Sequence, residues 1–202
     1  MGSKRQEHYF SREPKAEPRR RMLTVKLRGR EFRVFTESGV FSGARVDPGT
    51  ALLIDVMDIQ QGDTVLDLGC GWGAIGLAAA AMAPEGHAYL VDTNARAVAL
   101  AKENATRNGL SNVTVSQGEG TEPLRGVALD VVATNPPIRA GKPAVFSMIE
   151  QARECLKPGG RFYLVARTKQ GAKTIAQKVR QVFGNVTEVA KRGGYRVYMG
   201  RV

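Results

Sequence analysis

Cysteine, histidine and long apolar runs are all scarce in this chain of 202 residues. The two cysteines, Cys70 and Cys155, lie far apart and form no C-x-x-C pair, which excludes a disulfide framework and offers no zinc spacing. A reducing compartment is the simplest setting for such a chain, and a cytoplasmic location is expected. The two histidines, His8 and His87, are too few and too scattered for a catalytic base or a metal centre, so no metal is expected. The longest apolar run, near Ala74–Ala83, falls far short of the ~20 residues that a membrane-spanning helix requires. Met1–Phe10 is polar and basic, unlike a secretion leader. There is no internal repeat. With 43% hydrophobic and 24% charged residues the composition is that of a soluble globular protein. The length suits one α/β domain with an N-terminal extension, acting as a monomer.

Acidic residues are also in deficit. The formal net charge is +11, from 30 Lys and Arg against 19 Asp and Glu. Residues 1–33 hold eleven of those cations against four Glu, a local balance of +7. Such asymmetry suits a polyanion partner, since each neutralised phosphate releases counterions. The alternative is a solvated tail that aids solubility.

Met1–Arg21 has charges and two prolines but no hydrophobic period, and reads as a mobile arm. Leu23–Leu27 and Phe32–Phe35 alternate apolar with polar residues, and Arg28–Glu31 between them can turn, which predicts a hairpin. The arm and hairpin together make a first unit over 1–36, ahead of a main domain over 37–202. Asp47-Pro48 supplies a helix cap and a proline at the first helical position, for a helix ending near Gln60. Strands are then expected at Thr64–Leu68, His87–Asp92, Val113–Ser116, Ala128–Thr134 and Arg161–Ala166. Helices are expected at Gly73–Met82, Asn94–Asn108, Ala144–Leu156 and Gln170–Phe183. This alternation predicts a Rossmann-like, doubly wound α/β sheet of seven strands, mostly parallel. Val186–Ala190 and Arg196–Arg201, joined through Gly193-Gly194, close it with an antiparallel hairpin.

The chemistry sits at two places. Thr64–Leu68 runs into Gly69-Cys70-Gly71-Trp72-Gly73 and then a helix, and ligands in such sheets bind beyond the carboxyl ends of the strands. The next strand ends in Asp92, whose carboxylate can accept both hydroxyls of a ribose. Gly69–Ala74 also satisfies the G-x-G-x-x-G/A dinucleotide pattern, which by itself leaves an NAD enzyme open. Asp67, directly before the turn, would repel a pyrophosphate and attract an ammonium or sulfonium; S-adenosylmethionine carries both cations and no phosphate. Gly118 and Glu119 follow the third strand at the rim where an adenine would lie. Glu119 reads equally as orienting that base or as a solvated loop carboxylate. Trp72 reads as packing or pocket wall.

Asn135-Pro136-Pro137-Ile138 follows Ala128–Thr134 at the same rim. Two prolines restrict the backbone, so that the Asn135 side-chain oxygen and the Pro136 carbonyl can point together at one amino group. Accepting its two hydrogens would turn the lone pair of a conjugated amine toward the methyl donor, and in-line geometry supplies most of the rate.

These residues resemble the "methyltransferase small" family of class I enzymes, which includes bacterial ribosomal RNA guanine-N2 methyltransferases. The likeness covers about residues 37–202, through Ser38–Ser42, Asp47–Thr50, the glycine turn, Asn135–Ile138 and the final hairpin. The resemblance implies S-adenosylmethionine as cofactor, held by Asp67, Gly69, Cys70, Gly71, Asp92, Thr93, Gly118, Glu119 and Asn135. It implies Asn135 and Pro136 as the catalytic pair, and Phe41, Pro137, Ile138, Arg139 and Lys142 as substrate contacts. It implies ribosomal RNA or the small ribosomal subunit as partner, with a guanine N2 amine as the acceptor. Adenine or a protein glutamine amide are the alternative acceptors, and a binding protein without turnover is a third reading. Many members have an aromatic residue after Asn-Pro-Pro; this chain has Ile138, followed by the basic Arg139-Ala140-Gly141-Lys142.

Overall fold

Short apolar runs alternating with amphipathic stretches build a doubly wound sheet in the computed structural model, which describes residues 19–41 and 45–202. The expected arm lies outside these except for its end, where Arg20 already opens a strand. β1 (Arg20–Leu27) and β2 (Arg30–Glu37) pair antiparallel around Arg28 and Gly29 alone, whose φ values are 46° and 85°. Two left-handed central residues match the twist of the flanking strands. Arg30 and Glu31, expected in the turn, instead pair with Leu27 and Lys26.

The Asp47 carboxylate caps α1 (Pro48–Val56), accepting from the Gly49 and Thr50 amides at 2.8 and 3.0 Å. The helix stops at Val56, short of Gln60. Met57 turns extended, and the Arg28 guanidinium takes up the carbonyls of Ile54 and Met57. There follow β3 (Thr64–Leu68), α2 (Ala74–Met82), β4 (His87–Asp92), α3 (Ala95–Arg107), β5 (Val113–Gln117), β6 (Leu129–Thr134), α4 (Lys142–Cys155), β7 (Leu156–Arg167), α5 (Ala172–Phe183), β8 (Thr187–Arg192) and β9 (Tyr195–Arg201).

The strand expected from Arg161 begins at Leu156. Leu156 pairs with Leu129 and Arg161 with Val131, so residues 157–160 bulge out, held by Gly159 N–H donating to the Val202 carbonyl and Val202 N–H to that of Gly160. The last hairpin turns on Gly193-Gly194, with φ of 58° and 81°, which leaves Tyr195 at the start of β9 rather than in a loop.

The seven strands lie in the order β5-β4-β3-β6-β7-β9-β8, with β9 antiparallel to both neighbours, as the alternation and terminal hairpin predicted. The central strands are covered on both faces: Val65, Leu66, Val131, Val132, Phe162 and Leu164 are 0% exposed, as a parallel sheet requires. α1, α2, α3 and the first hairpin pack on one face, and α4 with α5 on the other. Strand order reverses between β3 and β6, where the chain ends diverge and leave a crevice. Thr134 Oγ1 donates to the Leu68 carbonyl at 2.7 Å across that point. Among the described residues no helix is long and apolar enough to cross a membrane, and no cluster of acids, histidines and cysteines could hold a metal ion.

The first hairpin shares its apolar residues Leu27, Phe32 and Val34 with the core that contains Leu53 and Leu77. Its edge is docked on α3 by two asparagines one turn apart. The Asn104 side chain accepts from Phe35 N–H at 2.7 Å and donates to the carbonyls of Phe35 and Trp72 at 2.9 and 3.0 Å. Asn108 pairs in the same way with both backbone groups of Arg33. The two side chains thus stand in for a neighbouring strand. Asn104→Ala takes the partner from three backbone groups, one buried and two part-buried, and should lower unfolding free energy by about 2–4 kcal/mol, read from the urea midpoint. An unchanged midpoint would mean that the apolar face alone holds the hairpin.

Candidate active site

Three glycines shape the turn between β3 and α2: Gly69, Gly71 and Gly73 have φ of 78°, 55° and 98°, where a Cβ is disfavoured. Gly69 and Gly71 border a cavity of about 330 Å³, and a Cβ on either would meet protein atoms only at 3.6 and 4.0 Å, so it would fill ligand space. The turn's amides face inward. Gly69 and Cys70 donate to the Val91 carbonyl at 2.9 and 3.0 Å, Gly71 to Asp92 Oδ2 at 2.8 Å, and Gly73 to the Cys70 carbonyl at 2.9 Å. A pyrophosphate site needs such amides free. Here these four are taken, so none of them is open to a phosphate.

Asp92, at the end of β4, accepts one backbone amide on each oxygen, from Gly71 and from Asn94 at 2.9 Å. Each oxygen keeps a lone pair for a hydroxyl. Burial raises its pKa, and the Asn94, Gly71 and Thr93 amides oppose that. Thr93, Gly118 and Glu119 line the same cavity, with Met148 and Gln151 of α4 opposite. Asp67 does not line it. The residue is 1% exposed; Oδ2 accepts from Gly76 N–H at 2.8 Å, and Oδ1 has no partner among the described residues. Cys70 is buried in a cluster with Ala80, Ala88, Leu90 and Ala101. Burial, then the charges of Asp67 and Asp92, push that thiol well above its usual pKa, so it is no nucleophile.

Asn135 stands where this cavity meets a second one, of about 300 Å³. Its Nδ2 donates to Thr50 Oγ1 at 2.9 Å and to Asp47 Oδ2 at 3.2 Å. A carboxylate only accepts, so the group facing Asp47 must be the NH₂, and the amide oxygen is left over as an acceptor. Asp47 is fixed in turn by the α1 amides and by the Tyr195 hydroxyl at 3.1 Å, on which the Arg167 guanidinium donates. The Pro136 carbonyl accepts from Ile138 N–H at 2.9 Å in a tight turn over Pro137, and retains one lone pair.

Phe41 borders both cavities. Ile138 and Arg139 border the second, whereas Pro137 borders the first and the exposed Lys142, at the start of α4, borders neither. Sequence reasoning missed Thr50, Arg167 and Tyr195, and saw Asp47 only as a helix cap. Their joint position appears only when β7, β9 and α1 come together.

A family model for the methyltransferase small domain matches residues 31–199. The chain belongs to that family. The resemblance read from the glycine turn, Asp92 and Asn-Pro-Pro holds. Among methyltransferase small domain relatives, an uncharacterized protein, YbxB of Bacillus subtilis (strain 168), is 37% identical over 193 residues, covering 95% of this chain and 96% of that one. The ribosomal RNA small subunit methyltransferase C of Pseudomonas entomophila (strain L48) is 32% identical over 171 residues, 83% of this chain and 50% of the relative. The solved T. thermophilus 16S rRNA N2 G1207 methyltransferase, in complex with AdoMet and guanosine, superposes with a TM-score of 0.81 at 25% identity, over 93% of this chain and 52% of that one. The chain thus spans about half the length of these two ribosomal RNA methyltransferases.

Burial pushes the Asp67 carboxyl from 3.8 up to about 7, with the Gly76 amide opposing and the Asp92 charge adding. Between those values the folded chain holds a proton that the unfolded chain has released, so stability should fall as pH rises through that window. Asp67→Asn lacks this slope. Urea unfolding between pH 4 and 7 should shift the difference between variant and parent toward the variant, by at most about 1.4 kcal/mol per pH unit. A constant difference would mean that Asp67 is not a desolvated carboxyl.

Proposed function

We propose that this chain is an S-adenosylmethionine-dependent methyltransferase that modifies the exocyclic N2 amine of a guanine in ribosomal RNA. The observation that carries the reading is the clamped amide of Asn135, whose oxygen is the spare acceptor at the junction of two cavities. S-adenosylmethionine supplies a methyl group activated by a sulfonium. Asp92 and Thr93 suit its ribose, Gly69 and Gly71 leave room for its chain, and Gly118 and Glu119 border the space for its adenine.

On the acceptor side, Asn135 Oδ1 takes one hydrogen of the amine and the remaining lone pair of the Pro136 carbonyl takes the other. That holds the nitrogen lone pair toward the first cavity and fixes the approach, which is where positioning contributes most. Asp47 already receives four donors, so it orients Asn135 rather than acting as a base. A paired base cannot reach this floor, so the target is flipped or single-stranded. Guanine is favoured by the guanosine bound in the T. thermophilus enzyme that this chain superposes on. RNA is favoured by the +7 balance of residues 1–33 and by the basic strands of the first hairpin. A cytoplasmic location follows from such a substrate.

Ribosomal subunits from cells lacking the enzyme, incubated with the protein and methyl-labelled S-adenosylmethionine, should carry the label in N2-methylguanosine. Asn135→Ala should reduce the rate by about 10²-fold or more, as loss of one transition-state hydrogen bond does. Label in another nucleoside would change the acceptor, and label in protein would overturn the RNA reading. Asp47→Asn frees the Asn135 amide to rotate. It should lower kcat by about tenfold while leaving KM for RNA within about twofold, since the contact is lost only where the amine must be aligned.

A further inference from the structure

The second cavity carries a charge that the methyl-transfer chemistry does not use. Its lining mixes the apolar Phe41, Ile138 and Val165 with polar residues, Asn135 among them. Two guanidinium residues, Arg139 and Arg167, border it together with the Gln170 amide. Its one acid, Asp47, has both oxygens engaged. Among the described residues no carboxylate lies within ion-pairing distance of Arg139 or Arg167.

Arg167 is nonetheless held in place. Its Nη2 donates to the Tyr195 hydroxyl, and its guanidinium carbon sits 4.7 Å from the centre of the Tyr195 ring. A guanidinium has five donors, so most remain available in a fixed orientation. Tyr195 is itself fixed, because its ring lies where a Cβ on Gly49 would stand only 2.5 Å away. Two exposed guanidinium groups border one cavity, and an anion bound there gains charge-assisted, forked hydrogen bonds from their free donors.

We propose that Arg139 and Arg167 form a receptor for the phosphate of the nucleotide whose base rests on Asn135, so that the second cavity takes a nucleoside monophosphate unit rather than a base alone. This rests on the reading of the chain as a nucleic-acid methyltransferase and extends it to the substrate unit. A glutamine side chain carries no anion of its own and would leave both cations without one. Gln170 supplies a further neutral donor at the same wall.

The test is calorimetric titration of the full chain, saturated with S-adenosylhomocysteine, with guanosine, guanosine 3′-monophosphate, guanosine 5′-monophosphate and adenosine. One of the two monophosphates should bind about tenfold or more tightly than guanosine, the gain expected of one charge-assisted contact. Arg167→Gln and Arg139→Gln should each cut that advantage to about threefold or less, with guanosine affinity unchanged. Equal binding of guanosine and both monophosphates would overturn the proposal. So would an advantage that survives both substitutions, or no measurable nucleotide binding at millimolar concentration. If adenosine binds as well as guanosine while the phosphate advantage persists, the receptor stands and the assignment of guanine falls.

Discussion

The carboxylate of Asp47 is the contact on which the site depends. It accepts the first amides of α1, the Asn135 side chain that follows β6, and the Tyr195 hydroxyl at the start of β9. A helix cap alone would use one oxygen and contribute about 1 kcal/mol. Here the same group joins three segments far apart in sequence and, by only accepting, dictates which end of the Asn135 amide faces the cavities. The helix cap, the Asn135 orientation and the Tyr195 hydroxyl that seats Arg167 share this one carboxylate, so a change at Asp47 reaches all three.

A second constraint acts through the backbone. The glycine turn resembles a phosphate loop in sequence, yet its amides close on Val91, Cys70 and Asp92. That closure turns Asp92 from a plain strand-end acid into the brace of the turn, and it withdraws four amides that a pyrophosphate could otherwise use. The same β3–α2 junction places Gly76 where a Cβ would come within 2.4 Å of Leu90, which lets α2 approach β4 and present its amide to Asp67. The composition of the turn therefore serves close packing and cofactor choice together.

Most of the architecture was legible because its signals are local. Asp47-Pro48 marks a helix start, β3 and β6 read as continuous apolar runs, and paired glycines mark the last hairpin. Boundaries shifted where partners from elsewhere intervened, as when Arg28 closed α1 early and Val202 held the bulge at the start of β7. The site was legible as to Asn135, Asp92 and the glycines, since their order along the chain carries the pattern. Tyr195 and Arg167 were not, because neither belongs to a motif. Their position comes from β9 running antiparallel beside β7, with Arg167 paired to Tyr195 in register. Nor could the sequence show that Lys142 stands apart from the cavity that Arg139 borders, since only Ala140 and Gly141 lie between them and Arg139 belongs to a one-turn helix while Lys142 opens α4.

The loss of an aromatic residue after Asn-Pro-Pro bears on how an acceptor is held. Stacking on a ring contributes about 1–3 kcal/mol per base, and Ile138 offers only aliphatic contact. The cavity retains Phe41 as an aromatic wall, reaching both cavities from the segment before α1, so that an aromatic surface is supplied from a different part of the chain. On the proposed reading, a base between Phe41 and Ile138 would have less specific stacking geometry, and its orientation would come from the polar groups at either end. Those groups are the Asn135 and Pro136 acceptors at the floor and the two guanidinium side chains at the wall. On the proposed reading, polar ends in place of one stacking contact would keep the amine aligned, with Asn135 held by Asp47 and Arg167 by Tyr195.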